Sequence, residues 1–207
     1  MALIRPAVIN PRPGIIAPVL GGFAGTLLLT SGMFLAPRVG FPVLDVPHLI
    51  GGIVTTNLTA AFWLGFWAHF LAGSLAFPVL FGLFWPLAPG PGSGIVGELT
   101  KGLIWGTTLW LLSGLLMPVA GWLNRLPADV VARPGLFAIK LGFKAALALL
   151  AGHVAYGLAV GSVAHLVADV FPLETLGWPG YRNAELPPAG ALYPDPTLPE
   201  HPFIGER

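Results

Sequence analysis

From Leu58 to Leu87 the chain runs for thirty residues without an Asp, Glu, Lys or Arg. Past Asn57 and Thr59, the one strongly polar side chain in this stretch is His69, near its middle. Crossing a bilayer takes about 20 predominantly apolar residues. The stretch therefore reads as a transmembrane helix that carries a histidine near the membrane midplane.

The rest of the sequence is of the same kind. Of 207 residues, 55% are hydrophobic and 9% charged, where a soluble domain has about 25% charged residues. Net charge is +1, so no basic field points to nucleic acid. There is no cysteine, which excludes disulfides, thiolate metal sites and cysteine nucleophiles. The N-terminus is broken by Pro6, Pro11 and Pro13 and does not read as a cleaved signal peptide. The expected location is a membrane, with lipids and other membrane subunits as partners.

The fold expected is all-α, with four transmembrane helices between an extended arm (1–14) and a Pro-rich tail (172–207). Helix 1 is expected over about 15–36, with Pro37 ending it. Helix 2 is expected over about 46–85, capped by Asp45. That is too long for one perpendicular span at 1.5 Å per residue, so a break near Thr55–Asn57 and a kink at Pro78 are expected. Pro86–Gly94 is a breaker. Helix 3 is expected over about 95–123 and helix 4 over about 136–170, with Lys140 and Lys144 near its start. Asp129 is expected to cap in the way Asp45 does.

The two halves repeat. Gly21-x-x-x-Gly25-Thr26 is matched by Gly102-x-x-x-Gly106-Thr107 at an offset of 81, and Ser31-Gly32 by Ser113-Gly114 at 82. Asp45-Val46, Gly51, His69 and Gly73 are matched by Asp129-Val130, Gly135, His153 and Gly157 at 84. A chain crossing twice per repeat returns to its starting side. The repeats (about 15–86 and 95–171) are thus expected to be parallel, related by an axis along the membrane normal. Small-xxx-small faces let helices approach closely in lipid. Gly21/Gly25, Gly102/Gly106 and Gly157/Gly161 supply three of them, to build the bundle or to dock a neighbouring subunit.

GGFAGTLLLTSGMFLAPRVG in helix 1, Asp45 with Leu49-Ile50-Gly51, AHFLAG in helix 2 and GHVAYGLAVG in helix 4 are similar to motifs of an uncharacterised family of small bacterial four-helix membrane proteins, a domain of unknown function. The resemblance covers about residues 17–165 and excludes the tail. It implies the fold, and no catalytic residue can be carried over from it.

His69 and His153 are the chemical candidates. A polar side chain at mid-membrane is costly and usually faces the bundle interior. Two such imidazoles could ligate haem iron or a chlorophyll or bacteriochlorophyll magnesium, or relay a proton. The plainer reading is that each bonds a backbone carbonyl or a hydroxyl of a neighbouring helix. His153 and His165 are twelve residues apart, about 120° round a helix, and do not share a face.

No paired carboxylates occur within the spans, and no catalytic constellation is present; the protein is expected not to be an enzyme. The expected function is an accessory subunit of a respiratory or photosynthetic electron-transfer complex, needing no cofactor of its own. The alternatives are a haem- or chlorin-binding protein using His69 and His153, and a small transporter or channel. Trp178, Tyr181, Tyr193 and Phe203 are spaced along the tail and are expected to hold it against a partner. Orientation stays open: Arg5, Arg12, Lys101 and Arg182 flank one face, and Arg38, Arg125, Arg133, Lys140 and Lys144 the other.

Overall fold

The computed structural model describes residues 15–84 and 94–170. The N-terminal arm, Trp85, most of the Pro/Gly loop and the tail with Trp178, Tyr181, Tyr193 and Phe203 lie outside the described residues.

Among the described residues all regular structure is helical: α1 (Ile16–Leu35), α2 (Val46–Gly51), α3 (Leu58–Leu71), α4 (Phe77–Phe84), α5 (Ile95–Leu123) and α6 (Phe143–Val170). A single π-helical turn, Ala72–Ala76, joins α3 to α4 into one rod. Four stretches of the described residues are long and apolar enough to cross a membrane: Ile16–Val39, Leu58–Phe84, Ile95–Leu123 and Phe143–Val167. The chain is an integral membrane protein.

Its exterior is apolar and its contacts are made by small residues. Leu20, Leu27, Leu64, Leu71, Leu112, Leu116 and Leu147 are exposed, as lipid allows. Gly21, Gly25, Gly102, Gly106, Gly157 and Gly161 are buried. Without a hydrophobic driving force between helices, association rests on close van der Waals packing. Accordingly α5 and α1 both lie along α6, and α1 also meets the π turn and α4.

The break in the second span falls at the expected place. Asp45 caps α2, its Oδ1 accepting from the His48 amide at 3.1 Å. The chain then turns, and Asn57 caps α3 by accepting from the Ala60 amide at 2.9 Å. Both caps satisfy amides that a helix start leaves without partners.

The fourth helix departs from expectation. It begins at Phe143, not near 136. Leu136–Leu141 is instead a 3₁₀ turn in which Phe137 and Ala138 have φ of 49° and 60°. Gly135 and Gly142, at φ of 70° and 102°, bracket it. An α-helix needs negative φ throughout, so this segment cannot extend α6. Asp129 consequently does not stand at a helix start as Asp45 does: it lies in the turn at 128–130.

The two interhelical loops interlock. Asn124, buried, donates from Nδ2 to the carbonyls of His48 at 2.8 Å and Leu49 at 2.9 Å. The Arg125 amide donates to the Gly52 carbonyl at 2.8 Å. Arg133 donates from Nη2 to the carbonyls of Asn124 and Leu126. Each of these bonds satisfies a carbonyl in a helix end or connecting loop. Ala61, Leu126 and Val131 fill the small apolar core beneath.

Candidate intramembrane polar site

Glycines at the helix contacts decide which side chains meet in the membrane. A Cβ on Gly102 would strike the Gly157 carbonyl, and one on Gly106 would strike that of His153. Gly161 lies against the Glu98 carbonyl. These contacts draw the α5 backbone onto α6 beside His153. On the other side of α6, Gly21 lies against the Val160 backbone and Gly25 against the Tyr156 ring. Gly22 makes room for the Pro78 ring, and Gly73 for the Thr26 side chain.

His153 is fully engaged. Its Nδ1 lies 2.8 Å from the Leu149 carbonyl, one turn earlier on α6. A carbonyl only accepts, so Nδ1 carries the proton and the neutral ring presents Nε2 as an acceptor. Nε2 lies 3.2 Å from Ser113 Oγ on α5. Ser113 Oγ also lies 3.1 Å from the Trp110 carbonyl. A hydroxyl has one proton, so with neutral His153 these two acceptors compete for it. Protonated His153 would donate to Ser113, freeing the hydroxyl proton for Trp110.

His69 sits in the last turn of α3, immediately before the π turn. Tyr156, one turn after His153, bonds the carbonyl of Gly73, one turn after His69, so the two imidazoles lie at similar depth. His69 Nε2 is buried without a hydrogen-bond partner, as are Thr26 Oγ1 and Thr30 Oγ1 on α1. Gly22 meets Pro78 and Thr26 meets Gly73, so α1 runs antiparallel to this rod. Thr30, one turn beyond Thr26, is therefore on the level of His69, one turn before Gly73. His69, His153, Thr30 and Ser113 thus fall at about one depth of the bundle, with Thr26 one turn away. An unpartnered buried polar group costs about 1 to 3 kcal/mol. Such a cluster suits a hydrogen-bonding guest or imidazole ligation, and within it the Ser113 hydroxyl is already paired to His153.

The π turn has its own polar partner. In the π register the Phe77 amide bonds the Ala72 carbonyl, and the next bond would run from residue 78 to Gly73. Pro78 has no N–H to give. The Tyr156 hydroxyl supplies the missing donor, bonding the Gly73 carbonyl at 2.7 Å. Ser74 Oγ bonds back to the Phe70 carbonyl at 2.6 Å in the same turn. Sequence reasoning passed over Tyr156 and took Thr26 only as part of the Gly21-x-x-x-Gly25-Thr26 motif; the signal for the tyrosine was a proline in mid-span, which demands a substitute donor.

The structure separates the other candidates from this cluster. His48 pairs with Asp45 in the loop, Nδ1 to Oδ2 at 2.7 Å. Lys101, expected near an interface, is buried at 3% exposure in α5. Among the described residues no three His, Asp or Glu side chains converge in a way that could hold a metal ion. Compared with known proteins, the chain matches no family model, no curated protein and no solved structure.

Proposed function

We propose that the protein is a non-catalytic accessory subunit of a larger bacterial membrane complex, of respiratory or photosynthetic electron-transfer type, and a relative of the small four-helix family its motifs resemble. One observation carries this reading: the aromatic row of α3. Phe62, Trp63, Phe66, Trp67 and Phe70 contact one another in sequence, with ring centroids 5.2 to 6.1 Å apart. Trp63 and Trp67 remain 51% exposed, and α3 buries only Ala61 and Gly65. A rigid aromatic row loses little side-chain entropy when covered. It suits a partner helix, with the tail as a second attachment. The test is purification of the native protein from its own membranes in mild detergent. A stable partner set, lost in a Trp63→Ala/Trp67→Ala variant that still inserts, is the expected result. Recovery of the chain alone from native membranes overturns the reading.

The second reading is cofactor binding, favoured by the similar depth of His69 and His153 on neighbouring membrane rods. The Nδ1 anchor on Leu149 is the kind of hydrogen bond that orients a ligating imidazole. Ligation through His153 requires Ser113 to release Nε2. A Soret or chlorin band in the purified protein, lost in His69→Ala, would favour it over the accessory reading.

The parallel duplication belongs with these proposals. In its support, Gly73 faces Thr26 of α1, while Gly157 faces Gly102 and Gly106 of α5. Each lies in the second membrane rod of its half and looks back at the first.

A further inference from the structure

We propose that Arg133, Lys140 and Trp122 form a binding site for the phosphate of an anionic phospholipid at the membrane face where α5 ends. A cavity of about 420 Å³ lies there, lined by Pro118, Gly121, Trp122, Arg133, Gly135 and Lys140. Among the described residues the lining holds two cations and no carboxylate. That volume accommodates a phosphoglycerol headgroup, whose charge is the complement of the lining.

Three further observations point to a ligand. Arg133 uses Nη2 for the carbonyls of Asn124 and Leu126, yet its Nη1 is buried with no hydrogen-bond partner. A guanidinium so anchored is held in fixed geometry at the cavity wall, and its unpaired Nη1 donor would be satisfied by a phosphate oxygen seated there. The loop that carries Lys140 has left-handed backbone at Phe137 and Ala138, and strain of this kind gathers at ligand clamps. Within it, Gly135 packs against the Lys140 stem, where any Cβ would collide. Finally, Trp122 is 82% exposed at the end of its span, the level at which indole rings settle among headgroups.

The cavity also opens toward acyl chains. Leu115, Val119 and Trp122 fall at i, i+4 and i+7 of α5 and are all exposed, so one apolar stripe descends into the bilayer from the cavity mouth. A soluble phosphate would use the two cations and ignore the stripe. A phospholipid uses both, and basic pockets at the ends of membrane helices recognise anionic headgroups in this way.

The experiment uses the full chain, delipidated in detergent, with bound lipid counted by intact-complex mass spectrometry. It is titrated with phosphatidylglycerol, with phosphatidylcholine and with inorganic phosphate. Phosphatidylglycerol is expected to bind at one per chain in preference to phosphatidylcholine. Lys140→Gln, at an exposed position, is expected to weaken it about fivefold, near the roughly 1 kcal/mol of one basic residue. Arg133→Ala also removes loop bonds, so Arg133→Lys is the companion variant: it keeps the charge, loses the fork and is expected to weaken binding too. Equal retention of both lipids, or affinity unmoved by Lys140→Gln and Arg133→Lys, overturns the site. Saturation by inorganic phosphate without phosphatidylglycerol retention overturns the lipid assignment.

Discussion

The Tyr156 hydroxyl on α6 stands in for the amide that Pro78 lacks, donating to the Gly73 carbonyl at 2.7 Å. The bond ties the π turn of the second membrane rod to the core formed by Phe81, Leu109, Tyr156 and Val160. Tyr156→Phe keeps the ring against Gly25 and removes only the donor. It is expected to lower stability by about 1 to 3 kcal/mol, the cost of a buried carbonyl left unpaired. Pro78→Ala restores an amide, so in that background the loss from Tyr156→Phe should shrink. A double-mutant cycle of thermal unfolding in detergent reads this directly, and strictly additive losses would refute the substitution of one donor for the other.

The glycines divide by what surrounds them. A Cβ at Gly102 or Gly157 lands on the backbone of the opposite helix, and backbone cannot move aside. Gly102→Val or Gly157→Val is expected to abolish monodisperse folded protein in size-exclusion chromatography. Gly32 has nothing within 4 Å of its Cβ position. Gly32→Ala should therefore be tolerated and add up to about 1 kcal/mol through helix propensity. Equal tolerance at Gly32 and Gly102 would contradict the packing described.

Much of this fold was legible because hydropathy and glycine spacing act locally. The bounds of Ile95–Leu123 were readable: a Gly/Pro loop precedes it and a polar Asn-Arg follows it. The start of α6 was not readable. Leu136–Leu141 is as apolar as a helix, and only the backbone of Gly135 and Gly142 diverts it, a choice settled by packing against α5 and α6. Within the site, His69 and His153 stood out because imidazoles are rare at mid-span. Thr26 and Thr30 did not, since threonine is common in membrane helices and usually bonds its own backbone, as Thr107 does to the Leu103 carbonyl at 2.9 Å. What sets Thr26 apart is that its hydroxyl finds no such partner, which only the three-dimensional arrangement can reveal.

That hydroxyl supplies a test of the polar cluster. Thr26 is 1% exposed and valine has its shape. If the hydroxyl is unsatisfied in the working protein, Thr26→Val removes a buried polar group at no cost in volume. Stability should then rise by about 1 kcal/mol or more. A fall by a similar amount would mean that the hydroxyl serves a guest bound between α1 and His69. Repeating the measurement on His69→Ala distinguishes the cases, because a shared guest makes the two effects non-additive.

The interlocked loops fix the topology. Asn124 holds the carbonyls of His48 and Leu49, and the Arg125 amide holds that of Gly52. The turn between the first two spans and the turn between the last two must therefore lie at the same membrane face. Two hairpins with their turns on one side run parallel. The chain has no cysteine, so single cysteines can be placed without preparation. Arg38, Arg125 and Val96 are all exposed. Arg38→Cys and Arg125→Cys are expected to react with a membrane-impermeant maleimide from one side of sealed vesicles. Val96→Cys, in the first turn of α5, should react only from the other side, after permeabilisation or in inverted vesicles. Labelling of Arg38→Cys and Arg125→Cys from opposite sides would break the loop contact, and with it both the four-span topology and the parallel arrangement of its halves.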